Sequence, residues 1–240
     1  MLEKKDAKET RETKNNDEKT DNAVDREKSI KEFGTPEVKP FQSNIQFISI
    51  IGEIEGHSVA GSDKKSTKYE HIIPLLISAQ IDPRIEGVFI VINTVGGDVE
   101  AGLALAEMIN SLDKPTVSLV LGGGHSIGVP LATSTDYSFI VPTATMTIHP
   151  IRTTGLVIGV PQTFRYFQKM QQRINNFVIR TSKVDPDTFH DLMNATDELA
   201  NDVGTILVGK AAVDYGLIDE VGGLSDALNK LNELIRNRKE

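Results

Sequence analysis

Three short, mainly apolar runs separated by amphipathic stretches constrain this chain more than any other feature. They are IQFISIIGEI at residues 45–54, GVFIVIN at 87–93 and TVSLVL at 116–121. Runs of that length, dominated by Ile, Val and Leu, are expected as strands buried on both faces. Between them, residues 68–80 and 99–112 carry apolar side chains at helical spacing. A strand followed by a helix and another strand implies parallel pairing, because parallel neighbours need a crossover long enough to hold the helix. The expected class is therefore α/β with a mainly parallel sheet.

The alternation continues toward the C-terminus. A short helix is predicted over residues 126–134, strands over 137–141 and 144–148, and a long helix over 161–181 with Pro161 in its first turn. Shorter helices follow at 185–193 and 209–215, and residues 225–238 close the chain as a helix capped by Ser225. Residues 1–34 are different: both charge signs mix and apolar positions are few. Such a stretch cannot bury enough surface to offset its conformational entropy, so disorder is expected, with one charged helix as the alternative near residues 25–33. Together with a proline-bearing linker, the tail spans 1–43 and the folded domain 44–240.

Composition removes several function classes. A net charge of -8 argues against non-specific nucleic-acid binding, which needs a basic surface to displace counterions. The absence of cysteine removes thiolate catalysis, disulfides and Cys-based zinc sites, and no cofactor or metal is expected. No run approaches the roughly 18 apolar residues of a membrane span. The N-terminus also lacks the apolar stretch of a signal peptide, so a cytoplasmic protein is expected.

Two glycine clusters sit where a strand hands over to a helix: Gly96-Gly97, after Asn93-Thr94-Val95, and Gly122-Gly123-Gly124, before His125-Ser126-Ile127-Gly128. Glycine admits positive φ and close approach of the backbone, and a helix start leaves N–H groups pointing outward. Two such corners side by side would bind an anion. Neither carries the Gly-Lys-Ser/Thr of a P-loop, so a nucleotide phosphate loop is excluded. Ser126 follows the second corner. It reads either as a helix N-cap, a role serine favours, or as a nucleophile held on a tight strand-to-helix turn.

A nucleophile needs a base. His149 ends the apolar segment 144–148, at the strand end where catalytic groups collect in open α/β sheets, although a histidine there can equally be structural. His125 adjoins Ser126, and neighbouring side chains diverge, so it is a poor partner. His57 and His71 lie in or beside a polar loop, and His190 lies on a surface helix. Asp197 and Asp202 fall in an irregular segment that could return to the site, and physical reasoning does not choose between them.

The ordered set Asn93-x-x-Gly96-Gly97, Ser126 after its glycine turn, Met146-Thr147-Ile148-His149-Pro150 and Ala211-Ala212-Val213-x-Tyr215-Gly216-Leu217-Ile218-Asp219 resembles the proteolytic subunit of the Clp protease. The wording is especially close to the translocation-enhancing branch of that family. The resemblance spans about residues 45–222 and implies a Clp/crotonase-type spiral of ββα units with a projecting handle helix. It also implies a serine endopeptidase: Ser126 as nucleophile, His149 as base, and the backbone N–H groups of Gly97 and Ile127 as the oxyanion hole. Asp202 is implied as the acid, with Asp197 as the alternative. Expected partners are a peptide or unfolded-protein substrate, copies of the chain in a ring and an ATPase unfoldase; a non-catalytic ring scaffold is the competing function.

Some residues depart from the family pattern. Val95 stands where proline is common, Gly124-His125 replace small residues before the nucleophile, and Ile127 replaces methionine after it. The segment 57–68 is longer than the family's turn, which bears on ATPase docking. The stripe Phe164, Phe167, Ile174, Phe177 and Val178 on the long helix is expected as core, or as an interface if the helix projects.

Overall fold

The computed structural model describes residues 43–61, 63–153, 158–196 and 203–238. The polar tail, with its expected helix at 25–33, lies outside the described residues. Within them the strands are β1 (Ile45–Glu55), β2 (Ser66–Lys68), β3 (Gly87–Gly97), β4 (Thr116–Gly124), β5 (Tyr137–Ile140), β6 (Thr145–Ile148), β7 (Thr205–Val208) and β8 (Glu220–Val221). The helices are α1 (Tyr69–Ile81), α2 (Val99–Asn110), α3 (Gly128–Thr133), α4 (Val160–Thr181), α5 (Pro186–Asn194), α6 (Lys210–Asp214) and α7 (Leu224–Asn237).

Side by side, the strands run β2-β1-β3-β4-β5-β8, and every pair along that path is parallel. The three apolar runs form its centre, as their lack of polar alternation demands. On β3, Val88, Ile90 and Ile92 pack with Leu76 of α1 and with Leu105 and Ile109 of α2. Phe89, between them, faces the other way and packs with Leu231 and Ile235 of α7. On β3 and β4 burial on both faces removes the period-two pattern, whereas β1 buries Ile48 and Ile50 and leaves its other face partly open. The second face carries exposed apolar side chains: Phe47 near the start of β1 and, toward the carboxyl ends, Ile51, Val95 and Leu121.

The strands overrun their expected ends. β3 continues through Gly97 and β4 through Gly124, so both glycine corners are strand termini in register with their neighbours rather than loops. The β1–β3 register shifts between Gly52 and Glu53, and the β3–β4 register between Ile92 and Thr94. These irregularities turn the backbone just below the site.

Three corrections concern the smaller elements. β6 meets β4 through one registered pair, Gly123↔Thr145, and then pairs antiparallel with β7, a strand the sequence reading did not include. Helix α7 starts at Leu224: the Gly223 N–H donates to Asp226 Oδ2 at 2.8 Å, so Asp226 caps it and Ser225 does not. Helix α3 starts at Gly128, with Ile127 as its N-cap residue, so Ser126 is not the cap.

The long helix α4 divides the expected apolar stripe between two environments. Phe177 and Val178 are core residues, whereas Phe164 is 62% exposed near the other end. Arg173 pairs with Glu100 at 2.6 Å and Arg180 with Glu107 at 2.5 Å, which lays the C-terminal half of α4 along α2. Exposed pairs of this kind contribute about 0–1 kcal/mol each, so they fix direction more than stability.

Candidate active site

The site begins with a backbone anomaly. Ser126 has φ of 56°, and it is the non-glycine residue with positive φ among those described. A side chain in this region costs about 1–3 kcal/mol unless its surroundings over-determine it. Here they do. The Ser126 N–H donates to the Thr147 carbonyl at 2.9 Å, and the His125 N–H donates to the Thr94 carbonyl at 3.2 Å. The carbonyls of His125 and Ser126 accept from Gly128 and Val129 at 2.8 and 3.0 Å, starting α3. The serine is thus lifted out of the β4-to-α3 turn.

The first corner is tied to the second. Thr94 Oγ1 donates to the Gly52 carbonyl at 2.6 Å and accepts from the Gly96 N–H at 3.1 Å. Asn93 Oδ1 accepts from the Gly123 N–H at 2.9 Å. Gly96, at φ of 92°, lies so close to the Ser126 turn that a Cβ there would stand 2.7 Å from Ser126 Cβ. Gly97 is exposed at the mouth, and no acceptor for the Ile127 N–H appears among the described residues. Helix α2 starts behind the first corner, capped by Asp98, whose side chain accepts from the Ala101 N–H at 2.8 Å.

His149 follows β6 directly and shares a cleft with Ser126. The cleft has a volume of about 230 Å³ and is lined by Gly97, Val99, Ser126, Ile127, His149, Ile151, Arg152 and Ile174. His149 Nδ1 lies 2.7 Å from the Pro150 carbonyl. A carbonyl only accepts, so Nδ1 carries a proton, and in the neutral ring the lone pair is then on Nε2, the tautomer a general base requires. Gly204, at φ of 124°, packs against the histidine backbone; a Cβ there would stand 2.9 Å from His149 Cβ. The chain therefore passes His149 just after the segment holding Asp197 and Asp202, both of which lie outside the described residues.

His57, His71 and His190 are exposed and stand apart from the residues lining the cleft. Among the described residues no cluster of three His, Asp or Glu could hold a metal. His125 is the residue whose setting the sequence reading missed. Its ring turns away from Ser126, as adjacency requires, but Nδ1 meets Thr147 Oγ1 at 2.7 Å. The signal for this was Gly123, since a Cβ there would stand 2.5 Å from His125 Nε2.

Burial first, and the neighbouring His149 imidazole second, lower the pKa of His125 below its ordinary value near 6.5. The unfolded chain takes up this proton more readily than the folded one. Folding stability is therefore intact above about pH 6.5 and declines as pH falls below it. Urea midpoints between about pH 5 and 7.5 should show that decline in the wild type, and His125→Asn should flatten it. Equal slopes in the two proteins would assign the decline elsewhere.

Comparison with known proteins decides the family. Residues 46–224 match the family model of the Clp protease. The chain belongs to the Clp protease family. It is 54% identical over 216 residues to the translocation-enhancing protein TepA of Halalkalibacterium halodurans, covering 90% of this chain and 84% of that protein. It is 27% identical over 158 residues to an ATP-dependent Clp protease proteolytic subunit of Lactococcus lactis, covering 62% and 74%. A solved structure of a ClpP1 mutant from Listeria monocytogenes superposes with a TM-score of 0.61 at 20% identity, over 76% of this chain and 94% of that one. The architecture is accordingly the Clp-type α/β fold, and α4 takes the place of its handle. Clp family members are serine peptidase-like proteins that form rings and work with ATPases. No described helix is long and apolar enough to cross a membrane.

Proposed function

We propose that this Clp family chain is a serine endopeptidase that hydrolyses peptides or unfolded proteins. The observation that carries the reading is Ser126, held at positive φ on the wall of a cleft it shares with His149, whose Nδ1 is bonded to the Pro150 carbonyl. Ser126 Oγ attacks the scissile carbonyl while His149 Nε2 takes its proton. The oxyanion that forms is met by the N–H groups of Gly97 and Ile127, each worth a few kcal/mol in the transition state. The imidazolium then protonates the leaving amine, and His149 next activates a water that hydrolyses the acyl-enzyme, freeing the acid product and returning the proton to Ser126 Oγ. Asp202 is the acid assigned to steady the imidazolium, with Asp197 as the alternative; the closeness of Gly204 to His149 supports an acid arriving from this segment.

The substrate and partners follow from chemistry and kinship. Val99, Ile127, Ile151 and Ile174 give the cleft an apolar wall suited to an aliphatic side chain. The exposed apolar residues on the sheet and on the N-terminal half of α4 support assembly into a ring. An ATPase unfoldase is the partner suggested by the name of the Lactococcus relative, and a cytoplasmic setting fits that partnership. The name of the Halalkalibacterium relative favours a second reading, a non-catalytic ring that assists the handling of exported proteins.

A fluorophosphonate separates the two. The peptidase reading expects one modified serine, located by peptide mass spectrometry to Ser126, and failure of Ser126→Ala to restore a deletion strain. An unmodified Ser126, or full restoration by Ser126→Ala, would favour the scaffold.

A further inference from the structure

His125 occupies a place the proposed mechanism does not use. Strand β6, which delivers His149, is fastened to the nucleophile strand β4 by little main-chain pairing: one registered pair, Gly123↔Thr145, and the bond from the Ser126 N–H to the Thr147 carbonyl. Thr147 is then gripped a second time, through its side chain, by His125 Nδ1 at 2.7 Å. His125 Nε2 lies 3.5 Å from Thr145 Oγ1, at the limit of a hydrogen bond. Side chains two apart share one face of a strand, so the ring spans Thr145 and Thr147 along the strand that ends at His149. Its own N–H is bonded to Thr94, beside the first glycine corner. One residue therefore touches all three pieces of the site, and Gly123 leaves the room the ring needs.

We propose that His125 is a positioning residue: by clamping Thr147 it holds the Ser126 turn in register with the strand that delivers His149. This rests on the reading of Ser126 and His149 as nucleophile and base. The geometry explains why the residue before the nucleophile is large here, because a small side chain could not cross to β6. The side chains that meet the His125 ring from β6, those of Thr145 and Thr147, carry no charge, and β3 meets the residue through the Thr94 carbonyl; His149 is its titratable neighbour. A neutral imidazole can clamp the strand without placing a second cation beside the base. Slippage of about 1 Å between nucleophile and base costs on the order of 100-fold in rate, so a single lost clamp has a measurable effect.

The test is the second-order rate of fluorophosphonate labelling of Ser126, measured on full-length protein with the folded fraction followed by circular dichroism. His125→Ala and Thr147→Val should each slow labelling roughly 10- to 100-fold while the protein stays folded. The double variant should be no slower than the worse single one, since both remove one interaction. His125→Asn, whose amide can reach where Nδ1 stood, should recover most of the rate. A role in bulk stability alone would not give that rescue. Labelling of His125→Ala at the wild-type rate, or no gain from His125→Asn over alanine, would overturn the positioning role and leave the peptidase reading intact. A wild-type protein in which Ser126 does not react would overturn both. If His125→Ala fails to fold, Thr147→Val carries the same decision.

Discussion

Replacing Ser126 with alanine is expected to lower peptide hydrolysis by about a million-fold, with His149→Ala costing nearly as much and the double variant hardly more. Nucleophile and base act as one unit in acyl transfer, so losing either forfeits what the pair supplies, and the losses do not add. What survives is the catalysis provided by the oxyanion donors and by substrate binding, about 10³- to 10⁴-fold over water. Neither change should disturb the fold. Ser126 contributes to the turn through its main-chain N–H and carbonyl, which alanine keeps. The His149 ring is partly exposed and bonds to a carbonyl in its own turn. Hydrolysis of a fluorogenic peptide, with chemical denaturation as a control, checks both points. Residual activity in Ser126→Ala above one part in a thousand would remove this serine from the chemistry.

The second large effect is expected from a single methyl group at the first glycine corner. In Gly96→Ala the new Cβ would stand 2.7 Å from Ser126 Cβ and 3.3 Å from its Oγ, on a backbone held at φ of 92°. The backbone strain alone is on the order of 1–3 kcal/mol. Relieving the clash requires the nucleophile turn to retreat, which should cost on the order of 100-fold in labelling rate. Gly124→Ala is the matched control. Its nearest neighbours would be the Val120 side chain at 3.4 Å and Met146 at 3.5 Å, ordinary contact distances, and its φ is not in the positive region. Stability and labelling of Gly124→Ala should stay near wild type. If the two variants behaved alike, the approach of Gly96 to Ser126 would not be what shapes the site.

The contrast between these glycines shows how far the sequence could be read. β3 and β4 were legible because burial on both faces imposes an apolar run, and β1 because its run is equally apolar even where Phe47 and Ile51 are exposed. The corners were legible as glycine clusters, and the kinship in motif order with the Clp proteases carried Ser126, His149, Gly97 and Ile127. Which glycine presses on the serine was not legible, since that depends on where two strands end relative to each other. The same limit explains β7: its four residues, Thr205–Val208, acquire strand identity only by pairing with β6, about sixty positions away in the chain. Ser126 looked like a helix cap because serine favours caps. The structure instead starts the helix two residues later and uses the main chain of Ser126 to bond β6. Adjacency makes His125 a poor partner for Ser126, and its reach to Thr147 depends on a crossing that local pattern does not reveal.

The attachment of β6 to the sheet also dictates when a newly made chain can become reactive. Ribosomes deliver the chain from its N-terminus, and domains begin to organise in that order. The β1–β3–β4 ladder can form once residue 124 has emerged, whereas the Ser126 turn still waits for the Thr147 carbonyl. The strand carrying the base has one registered pair to hold it there, and its main ladder is with β7. That ladder needs residues 205–208, which are made some eighty positions after the serine. The cleft that joins Ser126 to His149 is therefore completed late in biogenesis, and on the proposed peptidase reading a chain still tethered to the ribosome carries its serine without the strand that would arm it.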